Sequence, residues 1–120
     1  MTQAMNYVDG FVTPVLTANR EAYLQHAKDV AVLFKEFGAT SVVECWGDDV
    51  PEGKVTSFPM AVKIEPGEIV VFSWVTWPSR AVRDAGWAKL MADPRMASGA
   101  IPPFDGKRLI YGGFEVLLNV

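Results

Sequence analysis

The stretch Glu68-Ile-Val-Val-Phe-Ser-Trp-Val-Thr-Trp77 decides how this chain folds. It is rich in β-branched and aromatic residues, which predicts a strand. No charged residue occurs between Glu68 and Arg80, so we expect this strand to be buried on both faces. Alternate residues point to opposite faces, and each face is apolar: Val70, Phe72 and Trp74 on one, Ile69, Val71, Val75 and Trp77 on the other.

Signals on both sides of this strand predict the remaining elements. Apolar residues spaced by three and four from Tyr23 to Phe37 indicate a helix that ends at Gly38. Ser79 is a typical N-cap for a second helix that runs to about Met91. The other predicted elements are strands over 6–14, 40–46 and 107–118, and one helical turn capped by Ser57.

The predicted order is therefore β-α-β-β-α-β, which is typical of an α+β, ferredoxin-like fold. Such a fold has an antiparallel four-stranded sheet with two helices on one face. An apolar second face needs a cover, and another copy of the same sheet supplies it, so we expect a homodimer. The length of 120 residues predicts one domain over 1–120, with residues 1–4 as a flexible tail.

Composition excludes several classes of function. The chain has one cysteine and one histidine, so we expect no internal disulfide and no metal site. A net charge of −3 argues against a nucleic-acid-binding surface. The sequence lacks a signal peptide and an apolar run long enough to span a bilayer, so we expect a cytoplasmic protein without a membrane partner.

Several longer motifs resemble those of the YbaA-like family, small bacterial proteins that carry a domain of unknown function. The resemblance extends over residues 5–120. The motifs that carry it are Asp9-Gly10-Phe11, Glu44-Cys45-Trp46-Gly47-Asp48-Asp49, Val70-Val71-Phe72-Ser73-Trp74, Trp77-Pro78-Ser79, Arg83-Asp84, Asp93-Pro94-Arg95, Pro103-Phe104-Asp105-Gly106-Lys107-Arg108 and Ile110-Tyr111-Gly112-Gly113-Phe114.

This resemblance implies a dimeric α+β barrel, in which two ferredoxin-like sheets pair into one barrel. It implies no established activity and no cofactor. Some members carry a label that connects them to signal-recognition-particle RNA, but the acidic chain and its dispersed arginines do not favour RNA binding. The wider superfamily includes cofactor-free quinol monooxygenases, lactone isomerases and stress-induced proteins, a likeness of fold alone.

Three residues are candidates for acid–base catalysis. Asp9 lies within the first strand, where desolvation would raise the pKa of its carboxyl; alternatively it pairs with an arginine, and Arg108 is the expected one. Glu44 shares a strand face with Trp46, typical of a ligand site or of an interface carboxylate. His26 borders the apolar stripe of the first helix, where it is either a partner of these carboxylates or a half-exposed helix residue.

Five further residues are candidates for ligand binding. Trp46, Trp74, Phe72 and Tyr111 are large rings that line a cavity or fill a core or interface. Arg83 lies in the first turns of the second helix, against the helix dipole, so it meets either an acidic side chain or an anionic ligand.

Two hypotheses of different class follow. In the first, the homodimer binds a small organic molecule and acts as a cofactor-free enzyme on a quinol-like or lactone-like substrate. In the second, the protein is a non-catalytic structural or stress-related dimer whose carboxylates satisfy a buried interface. A perturbed carboxylate facing a cavity favours the first, and a filled space between sheet and helices favours the second.

Overall fold

The computed structural model describes residues 5–96 and 102–120 and contains a four-stranded antiparallel sheet. The predicted tail over residues 1–4 lies outside the described residues. The elements in chain order are β1 (Tyr7–Leu16), α1 (Arg20–Glu36), β2 (Ser41–Trp46), α2 (Phe58–Ala61), β3 (Glu68–Trp77), α3 (Arg80–Ala92) and β4 (Ile110–Glu115).

The strands lie side by side in the order β2-β3-β1-β4, and all three pairs of neighbours are antiparallel. This is the ferredoxin-like order for a βαββαβ chain. The helix α2 is a single turn inserted between β2 and β3, and Ser57 caps it by accepting a hydrogen bond from the amide of Met60. The predicted α+β, ferredoxin-like fold class is confirmed.

One face of the sheet packs against α1 and α3. Buried Trp77 and Val75 of β3 contact Leu33 and Phe34 of α1 and Leu90 of α3 in a single cluster. Each helix presents an apolar stripe because its buried residues recur at helical spacing. The space between these helices and the sheet is where the candidate site lies.

The opposite face, which we call the open face, presents exposed aromatic and aliphatic side chains. Phe72 is 45% exposed, Ile110 44% and Phe114 61%. Phe72 packs against Trp74 at 5.6 Å between ring centroids, and Phe58 of α2 packs against Phe72 at 5.8 Å. The predicted division of β3 into two apolar faces is therefore present, with Phe72 and Trp74 on the open face.

The first and last strands differ in length from their predictions. β1 continues past Pro14 to Leu16. β4 pairs with β1 only as far as Val12, so at Pro14 the strand β1 has a neighbour on one side, β3. Proline is tolerated at such an edge position because it has no N–H to donate to a second neighbour. β4 begins at Ile110 rather than at residue 107, because Asp105 holds a turn by accepting hydrogen bonds from the amides that follow it.

Gly86 allows α3 to approach the sheet closely, because a Cβ there would lie 2.6 Å from Trp77 Cζ3 and 2.8 Å from the Phe37 carbonyl oxygen. Overpacking costs about 1–3 kcal/mol, against about 1 kcal/mol gained from the helix propensity of alanine. Trp77 is fully buried and has no room to retreat. We therefore expect Gly86→Ala to lower the free energy of unfolding by up to about 2 kcal/mol in urea titrations.

Gly106→Ala is the control for this substitution, because a Cβ at Gly106 meets nothing within 4 Å. It should leave the urea midpoint nearly unchanged. A Gly86→Ala protein more stable than the wild type would contradict the close approach of α3.

Candidate functional site

A cavity of about 200 Å³ lies between the two long helices and the sheet. We call it the helix–sheet cavity. Most of its surface is apolar, and the side chains that form its walls include Phe11, Val30, Phe34, Trp87, Phe104 and Leu109. Phe104 belongs to the segment before β4, so this connection closes one side of the space. A cavity with aromatic walls and few polar groups is typical of a small-molecule site.

Its polar end is built from α1, β1, β2 and β3. The Tyr23 hydroxyl donates a hydrogen bond to Glu44 Oε1 at 2.6 Å. Thr13 and Ser73 lie beside them and are buried. Burial and the neighbouring carboxylate raise the pKa of Tyr23 far above its usual value, so the phenol stays protonated and remains a donor.

Glu44 connects the helix–sheet cavity to a second space. It is exposed on one side, yet burial of its carboxyl raises its pKa, while hydrogen bonds from Tyr23 and Ser73 oppose that shift. The second space, which we call the outer cleft, has a volume of about 170 Å³ and is lined by Arg20, Tyr23, Glu44 and Trp46 among others. The Arg20 guanidinium lies 5.1 Å from the centre of the Trp46 ring.

His26 also lines the helix–sheet cavity. Its ring packs edge-to-face against Phe104, with 5.4 Å between centroids. Burial lowers its pKa, and the nearby charge of Asp29 opposes this shift. The imidazole is therefore uncharged at neutral pH, and it forms no hydrogen bond with Glu44 although both face the same cavity.

Asp9 is placed elsewhere, in a buried network below α3. It is 3% exposed and does not line the helix–sheet cavity. Its carboxylate accepts hydrogen bonds from Trp77 Nε1 at 2.9 Å and from Trp87 Nε1 at 2.8 Å. Arg83 completes the network with Nη2 at 2.8 Å from Oδ1 and Nε at 3.1 Å. Every charged and polar group of this network is satisfied.

The arginine expected to pair with Asp9 was Arg108, and that expectation is wrong. Arg108 lies at the far end of the sheet, where its guanidinium pairs with Glu68 at 2.7 Å and with Asp105 at 2.9 Å. Arg83 of α3 pairs with Asp9 instead, near the start of β1. Arg83 therefore contacts an acidic side chain, which is one of the two partners expected for it. Its hydrogen bonds with Asp9 raise the pKa of Arg83.

The aromatic candidates for ligand binding are dispersed. Trp46 lies in the outer cleft beside Glu44. Phe72 and Trp74 lie on the open face, away from the helix–sheet cavity. Tyr111 is 75% exposed and packs against Phe11 at 6.4 Å, outside the cavity lining.

Sequence reasoning missed three polar or aromatic groups of the site. The sequence pattern places Tyr23 in the apolar stripe of the first helix. Its position one turn before His26 is the signal for a polar role, because the two residues share a helix face. Ser73 alternates with Val71 and Val75 and was the lone polar residue on that strand face. Phe104 lies in a loop, where periodicity carries no signal.

Within residues 5–96 and 102–120, no three His, Cys, Asp or Glu side chains come together as a metal site would need. Among the helices in those same ranges, none has the length and apolar character required to cross a membrane.

Comparisons with known sequences identify relatives of uncharacterised function. The family described as "Protein of unknown function (DUF1428)" matches residues 6–106. The chain is 58% identical over 116 residues to "Uncharacterized protein YbaA" of Escherichia coli (strain K12), covering 96% of this chain and 99% of the relative. The protein described in the same words from Shigella flexneri has the same identity and coverage.

Solved structures share the fold. A dimeric ferredoxin-like protein from an uncultured marine organism matches with a TM-score of 0.60 and 12% identity, over 96% of this chain and 99% of its own. A nipsnap family protein with unknown function from Agrobacterium tumefaciens matches with a TM-score of 0.55 and 17% identity, over 97% and 91%. At these identities the likeness concerns the fold alone.

Proposed function

Because this chain belongs to the DUF1428 family of proteins of unknown function, we propose a function from its geometry: it binds a small organic molecule in the helix–sheet cavity. The observation that carries the proposal is the cavity itself, apolar along its walls and polar where Tyr23 meets Glu44. Apolar walls bind the body of a ligand, and a few placed polar groups orient it.

The volume of the cavity limits the size of the ligand. Apolar cavities of about 150 Å³ bind benzene. A cavity of about 200 Å³ therefore suits one substituted ring or a molecule of similar bulk. Aromatic walls such as Phe34 and Trp87 favour a flat ligand, because aromatic rings pack well in offset or edge-to-face contacts.

A substitution that fills the cavity tests the proposal. Ala31 lines the helix–sheet cavity, so the ring added by Ala31→Phe would occupy ligand volume without removing a polar group. We expect single-ring compounds such as benzyl alcohol to bind the wild type and to bind Ala31→Phe at least about tenfold more weakly, the loss that about 1.4 kcal/mol represents. Isothermal titration calorimetry measures both affinities.

Ala22→Phe is the matched control, because Ala22 is an exposed residue of the same helix outside the cavity lining. It should bind benzyl alcohol as the wild type does. Equal affinity of the Ala31→Phe protein for the same compound would place the binding elsewhere.

We propose that the protein acts as a homodimer that buries the open face against the same face of a second copy. Exposed Phe72, Ile110 and Phe114 support this assembly, since a large apolar patch on a sheet needs a cover. A two-fold axis would bring identical patches together. The marine structural neighbour is described as dimeric, which is consistent with the proposal.

A second candidate function is cofactor-free acid–base catalysis on a quinol-like or lactone-like molecule. The raised pKa of Glu44 beside an apolar cavity supports it, because a carboxyl tuned toward neutrality is a better proton-transfer group. A base acts when ionised, so turnover through Glu44 would rise with pH across its pKa. Glu44→Gln would abolish such turnover, whereas Glu52→Gln at an exposed site would not.

A cytoplasmic location also belongs to the proposal. The lone Cys45 leaves no internal disulfide to form, which suits a reducing compartment.

A further inference from the structure

Glu44 is the one charged side chain in the described lining of the helix–sheet cavity, and we propose that the cavity binds uncharged, hydroxyl-bearing ring compounds and rejects carboxylates. The inference rests on the proposed function, because it names the class of ligand for the same cavity. It assigns Glu44 as the residue that determines this specificity.

Among the described lining residues, Glu44 is the acid and neither lysine nor arginine occurs. His26 contributes no positive charge at neutral pH, because burial lowers its pKa. A ligand carboxylate in the cavity would therefore lose its hydration, face a second carboxylate and meet no cation.

The arginines near the helix–sheet cavity are engaged outside it. Arg83 pairs with Asp9 and with Asp84 on the α3 side. Arg20 lies over the Trp46 ring in the outer cleft. Neither guanidinium lines the helix–sheet cavity, so neither compensates an anion bound there.

The hydrogen bonds at the polar end of the cavity also restrict the ligand. The Tyr23 hydroxyl already donates its hydrogen bond to Glu44 Oε1. An ionised carboxylate has only acceptor sites. The polar end of the cavity is therefore best matched by a ligand that donates, and a hydroxyl group donates without carrying a charge. Apolar walls accommodate the ring to which that hydroxyl is attached.

The test compares ligands of nearly equal size and different charge. Benzyl alcohol, benzoate and benzylamine are titrated into the wild-type protein at pH 8 by calorimetry. We expect benzyl alcohol to bind at least about 30-fold more tightly than benzoate, because like charges at close range and loss of hydration both oppose the anion. Benzylamine is cationic at this pH and should bind more tightly than benzoate. Both ions lose hydration in the cavity, so a difference between their affinities reports the charge of Glu44.

The variant Glu44→Gln separates the charge from the shape of the site. We expect it to reduce the preference for benzyl alcohol over benzoate by about tenfold and to remove the preference for benzylamine over benzoate. Tyr23→Phe retains the carboxylate and should retain the rejection of benzoate. Glu52→Gln, an exposed substitution outside the lining, is the matched control and should change neither ratio.

The possible failures are distinguishable. If benzoate binds the wild type as tightly as benzyl alcohol, or if Glu44→Gln leaves both ratios unchanged, the charge selection is overturned while ligand binding stands. If none of the three compounds binds up to its solubility limit, the proposed function fails and this inference fails with it.

Discussion

Replacing Asp9 with alanine is expected to lower the free energy of unfolding by about 3–5 kcal/mol, the cost of removing one partner from a buried ion pair. The carboxylate is 3% exposed and accepts hydrogen bonds from Arg83, Trp77 and Trp87. Its removal would leave two indole N–H groups without their acceptor, and the Arg83 guanidinium with Asp84 as its remaining acidic partner.

Urea unfolding followed by tryptophan fluorescence measures this loss, at one fixed protein concentration because the proposed dimer couples stability to concentration. Asp84→Ala is the matched control, since Asp84 also contacts Arg83, at 2.9 Å, but its side chain is 53% exposed. It should cost no more than about 1 kcal/mol, as exposed ion pairs do. An Asp9→Ala protein within that range would contradict a stabilising role for Asp9.

The same substitution bears on the choice between catalysis and stability for this residue. Trp87 lines the helix–sheet cavity and donates to Asp9, so Asp9 influences the cavity wall through the position of this indole. Activity lost in Asp9→Ala would therefore reflect fold rather than chemistry. Glu44 is the residue at which acid–base catalysis should be tested.

Replacing Phe72 with lysine is expected to convert the proposed dimer into a monomer of 13.2 kDa. Phe72 lies on the central strand β3 and is 45% exposed on the open face. A charge at the centre of an apolar interface loses its hydration when the interface forms. We expect the dissociation constant to rise at least about 100-fold, as the loss of a central aromatic contact typically produces.

Light scattering coupled to size-exclusion chromatography measures the mass of each protein. Leu24→Lys is the matched control, because Leu24 has the same exposed fraction of 45% but lies on α1, on the other side of the sheet. It should remain dimeric, and both variants should retain wild-type circular dichroism. A wild-type monomer at micromolar concentration would contradict the proposed assembly.

The sequence by itself determined the order and type of the elements, because those depend on neighbours along the chain. An uncharged run of β-branched and aromatic residues defined β3 over Glu68–Trp77, and the structure has those bounds. Ser79 caps α3 by accepting from the amide of Val82, as its position before the helix predicted. The helix α1 ends just before Gly38, whose φ of 116° favours glycine.

The placement of Glu44 and His26 was within reach of the same local reasoning. The two-residue period of a strand predicted that Glu44 and Trp46 share one face, and both side chains line the outer cleft. Helical spacing put His26 at the border of the apolar stripe, which faces the sheet. Because each position depends only on the geometry of one element, the pattern alone sufficed.

The partners of the candidate residues were decided only by the tertiary structure. Asp9 and Arg83 are 74 positions apart, and their contact depends on where α3 crosses the sheet. Tyr23 meets Glu44 because α1 lies over β2, and Phe104 meets His26 because the segment before β4 returns across α1. The pattern of one element specifies which face a side chain occupies, whereas the packing of elements distant in sequence specifies what it touches.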